Sequence, residues 1–173
     1  NWTSTPETDY DQVGCKDATE DDDDDNDDVT DIFDDCQTGE VGWISKKATD
    51  HDEDGCRDLN EDEDDDNDGM SDLTDMCPLG SIGWDSSPTT DRDGDGCRDI
   101  SEDLDDDADG IEDGYDDCPI GDTDWLSSTS NDYDSDGCQD SLEDLDDDND
   151  GVLDVDDKCP KGDLDWTSTE SSD

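Results

Sequence analysis

The sequence has very little of what a hydrophobic core is made from. Hydrophobic residues are 24% of its 173 residues, and there is a single Phe. Positive charge is almost as scarce: eight Lys and Arg stand against 64 Asp and Glu, for a formal net charge of −56. Few apolar side chains and a large net charge leave a chain unable to offset its conformational entropy by burial. By composition alone this would be a disordered acidic polymer. The lack of positive charge argues against a nucleic-acid partner, because phosphate would be repelled. No apolar run approaches membrane-spanning length, and no secretory signal pattern is visible. There is one histidine, His51, which is expected to face solvent. No nucleophile–base pair and no Gly-rich phosphate loop occurs, and the core is too small to wall a pocket. The expectation is a protein that is not an enzyme.

Two features oppose the disordered reading. The first is eight cysteines with no C-x-x-C pair among them. In so core-poor a chain, an even count suggests a disulfide framework and an oxidising, extracellular or cell-surface location, rather than a zinc site. The second is strict spacing. Trp2, Trp43, Trp84, Trp125 and Trp166 step by 41 residues, as do Cys15, Cys56, Cys97 and Cys138, and Cys36, Cys77, Cys118 and Cys159. Four repeats follow, 1–41, 42–82, 83–123 and 124–164, with a fifth beginning at 165–173. A fixed period without insertions predicts a tandem-repeat array in place of one globule. Asp173 falls where Asp9, Asp50, Asp91 and Asp132 fall, so the array is expected to continue. Turn residues are dense and no apolar period persists, so the fold is expected to be mostly irregular, with a single helical turn where two acidic loops meet.

Each repeat carries a Trp/Ser/Thr/Gly segment and two twelve-residue acidic loops. In "DRDGDGCRDISE" (91–102), acids occupy positions 1, 3, 5, 9 and 12: Asp91, Asp93, Asp95, Asp99 and Glu102. Gly96 holds position 6. Calcium is a hard cation that takes six to eight oxygens, and alternating carboxylates in a tight loop supply them. The second loop of that repeat gives Asp105, Asp107, Asp109, Asp113 and Asp116. Repeat two gives Asp50, Asp52, Asp54, Asp58 and Glu61, then Asp64, Asp66, Asp68, Asp72 and Asp75. Repeat four gives Asp132, Asp134, Asp136, Asp140 and Glu143, then Asp146, Asp148, Asp150, Asp154 and Asp157. Repeat one gives Asp9, Asp11, Asp17 and Glu20, then Asp23, Asp25, Asp27, Asp31 and Asp34. It departs from the pattern at Val13, where an acid belongs, and at Asp28, where glycine belongs. Weaker binding or a lost ligand is expected there.

A merely solvated acidic run needs neither a register nor the position 6 glycine that seven of the eight loops keep. Magnesium prefers fewer carboxylates and retains its waters. An EF-hand needs a helix on each side of its loop, and only two residues separate Glu102 from Asp105. The runs "DDDNDGVLDVDDKCP" (146–160), "DDDADGIEDGYDDCP" (105–119) and "DDDNDGMSDLTDMCP" (64–78), alternating with "DRDGDGC" loops, resemble thrombospondin type 3 repeats. The resemblance covers nearly the whole chain. It implies an extended, calcium-cored chain, wound around a line of ions and stapled by disulfides. The chain differs from that family in its Trp-bearing insert after each Cys-Pro and in the cysteine directly after the glycine of loop one. Eight divalent ions would bring the net charge from −56 to −40, and sixteen to −24. More than one ion per loop is expected in places, because acids at positions 2 and 4 remain over.

Nearest-neighbour pairing leaves two disulfide patterns open. One is within a repeat, as in Cys15–Cys36. The other is Cys36–Cys56, Cys77–Cys97 and Cys118–Cys138, with Cys15 and Cys159 left for neighbouring segments. The resemblance to thrombospondin type 3 repeats implies the second. Each closed loop would be worth roughly 3 kcal/mol. The tryptophans are expected to pack locally over the disulfides and residues such as Leu79 and Ile82, with contacts between chains as the alternative. "NWT" makes Asn1 an N-glycosylation acceptor, and the Ser/Thr segments suit O-linked sugars. The functional expectation is an extracellular calcium-binding structural array: a stiff stalk or filament whose partners are calcium ions and further copies of the repeat. The alternatives are an adhesive or matrix-binding module that uses exposed tryptophan or glycans, and a calcium buffer or mineral-binding polymer.

Overall fold

The structure is a computed structural model that describes residues 2–164 and 167–169. Asn1, with its sequon, and most of the fifth repeat lie outside the described residues. Among those described there is no helix and no strand. The chain divides into two compact units, Asn1–Ser86 and Ser87–Asp173.

Turns and loop closures replace regular structure in both units. Each acidic loop is closed at its base by a backbone bond from position 9 to the residue before position 1. Asp58 N–H donates to Thr49 O at 3.1 Å and Asp72 to Glu63 O at 3.0 Å; Asp113 donates to Leu104 O and Asp154 to Leu145 O, both at 2.9 Å. Where loop one meets loop two, one carbonyl accepts three successive N–H groups. The Arg57 carbonyl takes Asn60, Glu61 and Asp62, and the Arg98 carbonyl takes Ser101, Glu102 and Asp103. This is the single turn expected from the sequence, and it is too short to propagate as a helix. Position 4 of every loop lies in the left-handed region, mostly as Asn or another polar residue. Position 6 lies there as well, and this explains its glycine. Asp28 takes the same conformation at φ 77° without being glycine, so the first repeat keeps the loop shape at the cost of local backbone strain.

In unit 1 a disulfide joins Cys36 to Cys56, with Cα atoms 5.1 Å apart. Asp35 N–H donates to Asp54 O beside it, at 2.9 Å. In unit 2 Cys118 pairs with Cys138 in the same way, next to an Asp117 N–H bond to Asp136 O. Cys77 and Cys97 are also disulfide-bonded, whereas Cys15 and Cys159 are free and exposed. The segments after Trp43 and Trp125 fold back on the preceding acidic loop. Ser45 N–H reaches Asp27 O and Ser127 N–H reaches Asp109 O, both at 2.8 Å.

The interior inverts the usual pattern. Among the described residues, the buried hydrophobic ones are Cys56, Trp84, Cys97 and Cys138, while eighteen aspartates are buried. Leu73 is 95% exposed and Ile100 83%. Of the tryptophans, Trp84 is buried and Trp43 and Trp125 are half-buried. Trp43 lies under the Arg57 guanidinium, 5.9 Å from its ring centre, and Arg57 also pairs with Glu40 at 2.8 Å. A cation over the indole face is favourable in itself. Leu79 and Ile82 keep large exposed areas.

His51 does not project freely into solvent. It is half-buried, and its Nε2 donates to Gly80 O at 2.9 Å, 29 residues further on. A carbonyl can only accept, so the proton sits on Nε2. Tyr10, Arg92 and Tyr133 hold the same loop position and donate to Gly39, Gly121 and Gly162 carbonyls. Position 2 of loop one is therefore a tether, and any side chain long enough to carry a donor serves there.

Candidate metal centres

The acidic loops converge carboxylates onto small volumes. Asp23, Asp25 and Asp27 bring ligand oxygens within 4.8 Å of one another, as do Asp50, Asp52 and Asp54; Asp64, Asp66 and Asp68; and Asp91, Asp93 and Asp95. These are positions 1, 3 and 5 of their loops. Asp28 does not prevent the first of these groups from forming. Val13 is exposed and brings no oxygen to its loop.

One pattern explains how a flexible side chain is held in such a group. One oxygen of a carboxylate accepts a backbone N–H from its own loop, and the other is buried without a donor. Asp27 Oδ1 accepts from Val29 N–H at 2.7 Å, and its Oδ2 has no partner. Asp109 repeats this with Ile111 N–H at 2.7 Å. Asp64 accepts from Gly69 N–H on Oδ2 and leaves Oδ1 free; Asp105 does the same with Gly110. Asp9 holds Gly14 N–H on Oδ1, and its Oδ2 is buried and unpaired. The same division applies at position 12 of loop two. Asp34 and Asp116 accept from Cys36 and Cys118 N–H at 2.6 Å, each with a buried, donorless Oδ2.

The position 9 aspartates (Asp17, Asp31, Asp58, Asp72, Asp99, Asp113, Asp140 and Asp154) each accept the position 2 N–H of their loop through Oδ1. The position 3 aspartates of loop one contact the position 4 asparagine of loop two: Asn26 with Asp11, Asn67 with Asp52 and Asn149 with Asp134. The position 3 aspartates of loop two hold a glycine N–H fourteen residues on, as Asp25 does with Gly39 at 2.8 Å and Asp107 with Gly121 at 2.8 Å. The position 12 glutamate of repeat four reaches beyond its own loop. Glu143 accepts from Asp122 N–H at 2.5 Å, in the preceding tryptophan segment.

Crowding raises the cost of ionising these groups. Burial, followed by the Cys36 N–H bond that opposes it and the Asp25 and Asp27 charges that reinforce it, leaves Asp34 pushed up to about 7. Burial and the Asp95 charge push Asp93 up to about 7. Burial and Asp54 push Asp52 up to about 6. The groups are negative, part-desolvated and donor-poor, which is the environment a cation relieves. The donors are all oxygens, with no thiolate or imidazole in the groups above, so the set suits a hard divalent cation and not zinc.

Sequence reading named neither Asp62 nor Asp65 as a ligand, although it expected position 2 acids, of which Asp65 is one, to serve further ions; the structure brings both into such a group. Asp62 and Asp65 converge with Asp58 within the same 4.8 Å limit. The signal was present: Asp occurs at 21, 62, 103 and 144, and at 24, 65, 106 and 147, in all four repeats. Compared with known proteins, the chain matches no family model and no curated protein.

Proposed function

We propose that this chain is an extracellular calcium-binding structural repeat protein, similar to thrombospondin type 3 repeats, that forms a stiff stalk or filament. Ions and disulfides supply its order. The observation that carries this reading is the set of buried carboxylate oxygens with no donor, at Asp9, Asp25, Asp27, Asp34, Asp109 and Asp116. A buried charge without a partner is costly, and one divalent ion shared by three carboxylates removes that cost at a stroke. The residues that would hold calcium are those at positions 1, 3 and 5 of each loop, with positions 9 and 12 nearby. The ion would contribute charge neutralisation and, through it, folding free energy. Calcium is favoured over magnesium because three or more carboxylates converge, more than a magnesium ion that keeps its waters would use. The disulfides favour an oxidising compartment. Among the described residues no helix is long and apolar enough to cross a membrane. The partners in this reading are calcium ions and further copies of the repeat. Equilibrium dialysis of the disulfide-intact chain tests it. The expected result is roughly one calcium or more per acidic loop, retained against excess magnesium. Binding of fewer than a few ions, or no preference for calcium, would overturn it.

A further inference from the structure

The junction between the two loops of a repeat differs from the loops themselves. Asp58 comes from loop one, Asp65 is position 2 of loop two, and Asp62 lies on the turn between them. Their ligand oxygens lie within 4.8 Å of one another. Asp62 Oδ1 accepts from Asp64 N–H at 2.9 Å, which leaves Oδ2 buried with no donor. Asp65 is 9% exposed, and its buried Oδ1 also has no donor. The third repeat has the same disposition: Asp106 is 9% exposed with an unpaired Oδ1, and Asp103 Oδ2 is buried and unpaired.

The fourth repeat supplies an independent observation. At its junction, formed by Asp140, Asp144 and Asp147, the structure places an ammonium group. Lys161 Nζ contacts Asp140 Oδ2 and lies 3.5 Å from Asp147 Oδ2. It is also held 5.8 Å from the Tyr133 ring centre. The residues at the same place in the other repeats are Thr38, Leu79 and Ile120, none of which carries charge. The junction of the fourth repeat thus takes a positive group from its own chain at a place where the second and third repeats carry Leu79 and Ile120.

We propose that the loop junction is a second kind of cation site, which binds a divalent calcium ion in repeats two and three, and that Lys161 takes the ion's place in repeat four. This deepens the calcium reading above and rests on it. It also explains why Asp occupies position 2 of every second loop, whereas loop one uses that position for a tether.

Ion counting by mass spectrometry under non-denaturing conditions tests this on the full, disulfide-intact chain loaded with calcium. Lys161→Met should gain one ion over the wild type. Leu79→Lys, which transfers the ammonium to the second repeat, should lose one, and Asp65→Asn should lose the same one. Both Lys161 and Leu79 are substantially exposed, so neither change disturbs a packed interior. A wild-type chain that retains no calcium would overturn the calcium reading and this site together. A chain that retains calcium in unchanged number through all three substitutions would overturn the junction site alone.

Discussion

Asp27→Asn separates an ion-binding carboxylate from one that merely shapes a turn. Asp27 is fully buried. Its Oδ1 accepts the Val29 N–H at 2.7 Å, and asparagine can make that bond equally well. The substitution therefore removes only the negative charge and the donorless Oδ2. Two unit charges at 4.8 Å, the limit within which Asp23, Asp25 and Asp27 converge, repel by roughly 3 kcal/mol at an effective dielectric of about 20. Without divalent ions, removing one of three such charges should therefore leave unit 1 no less ordered than the wild type. With calcium the sign reverses, because a charged ligand is gone. Folding of unit 1, followed by the fluorescence of Trp43, should then need roughly 10- to 100-fold more free calcium, on the order of 1.4 to 3 kcal/mol. An equal loss of order with and without calcium would mean that Asp27 acts through its turn alone. An unchanged calcium midpoint would mean that no ion sits there. Either result would mean that Asp27 is not a calcium ligand.

The pH response should reverse with calcium. Asp34, Asp65, Asp93 and Asp106 are each raised to about 7, chiefly by burial. In chelator their protonation favours the folded chain. That contribution is full below about pH 4 and is lost as pH rises through about 7. Circular dichroism should therefore report more order at acid pH in chelator, and less order at acid pH in saturating calcium, where protons compete with the ion. Replacing Cys36 and Cys56 by serine opens a bridge across a separation of 20 residues; it should cost about 3 kcal/mol, measured by urea unfolding in calcium. Asp28→Gly should stabilise unit 1 by about 1 kcal/mol in the same assay, because Asp28 holds φ 77°. Gly55→Ala should destabilise more than Gly69→Ala: both lie in the left-handed region, but only at Gly55 would a Cβ overlap the Asp34 carboxylate.

The acidic loops were legible because their chemistry is local. A loop's register and its left-handed turns are written in twelve residues, and so the triad of Asp64, Asp66 and Asp68 could be read from spacing. The irregular fold was legible for a related reason, since no apolar period exists to organise a helix or strand. What could not be read depends on contacts between segments. His51 bonds a carbonyl 29 residues away, and nothing in its own loop announces that. Asp65 was read only as a position 2 acid left over for some further ion, and Asp62 not at all, until the turn at the Arg57 carbonyl brought them beside Asp58. Arg57 was one of eight scattered basic residues until it was found over Trp43. The tryptophans were expected to pack over the disulfides and nearby apolar residues such as Leu79 and Ile82, and nothing in the Trp43 segment announced that the Arg57 cation would lie over its indole.

On the proposed reading, cations in place of apolar burial hold this chain in one shape. The most direct measurement is small-angle X-ray scattering with circular dichroism on the disulfide-intact protein, in calcium and then in chelator. Chelation should expand the chain and abolish its ordered spectrum, and added calcium should restore both. Dimensions and spectrum that are the same in calcium and in chelator would contradict that reading and leave the buried carboxylates without the ion that justifies them.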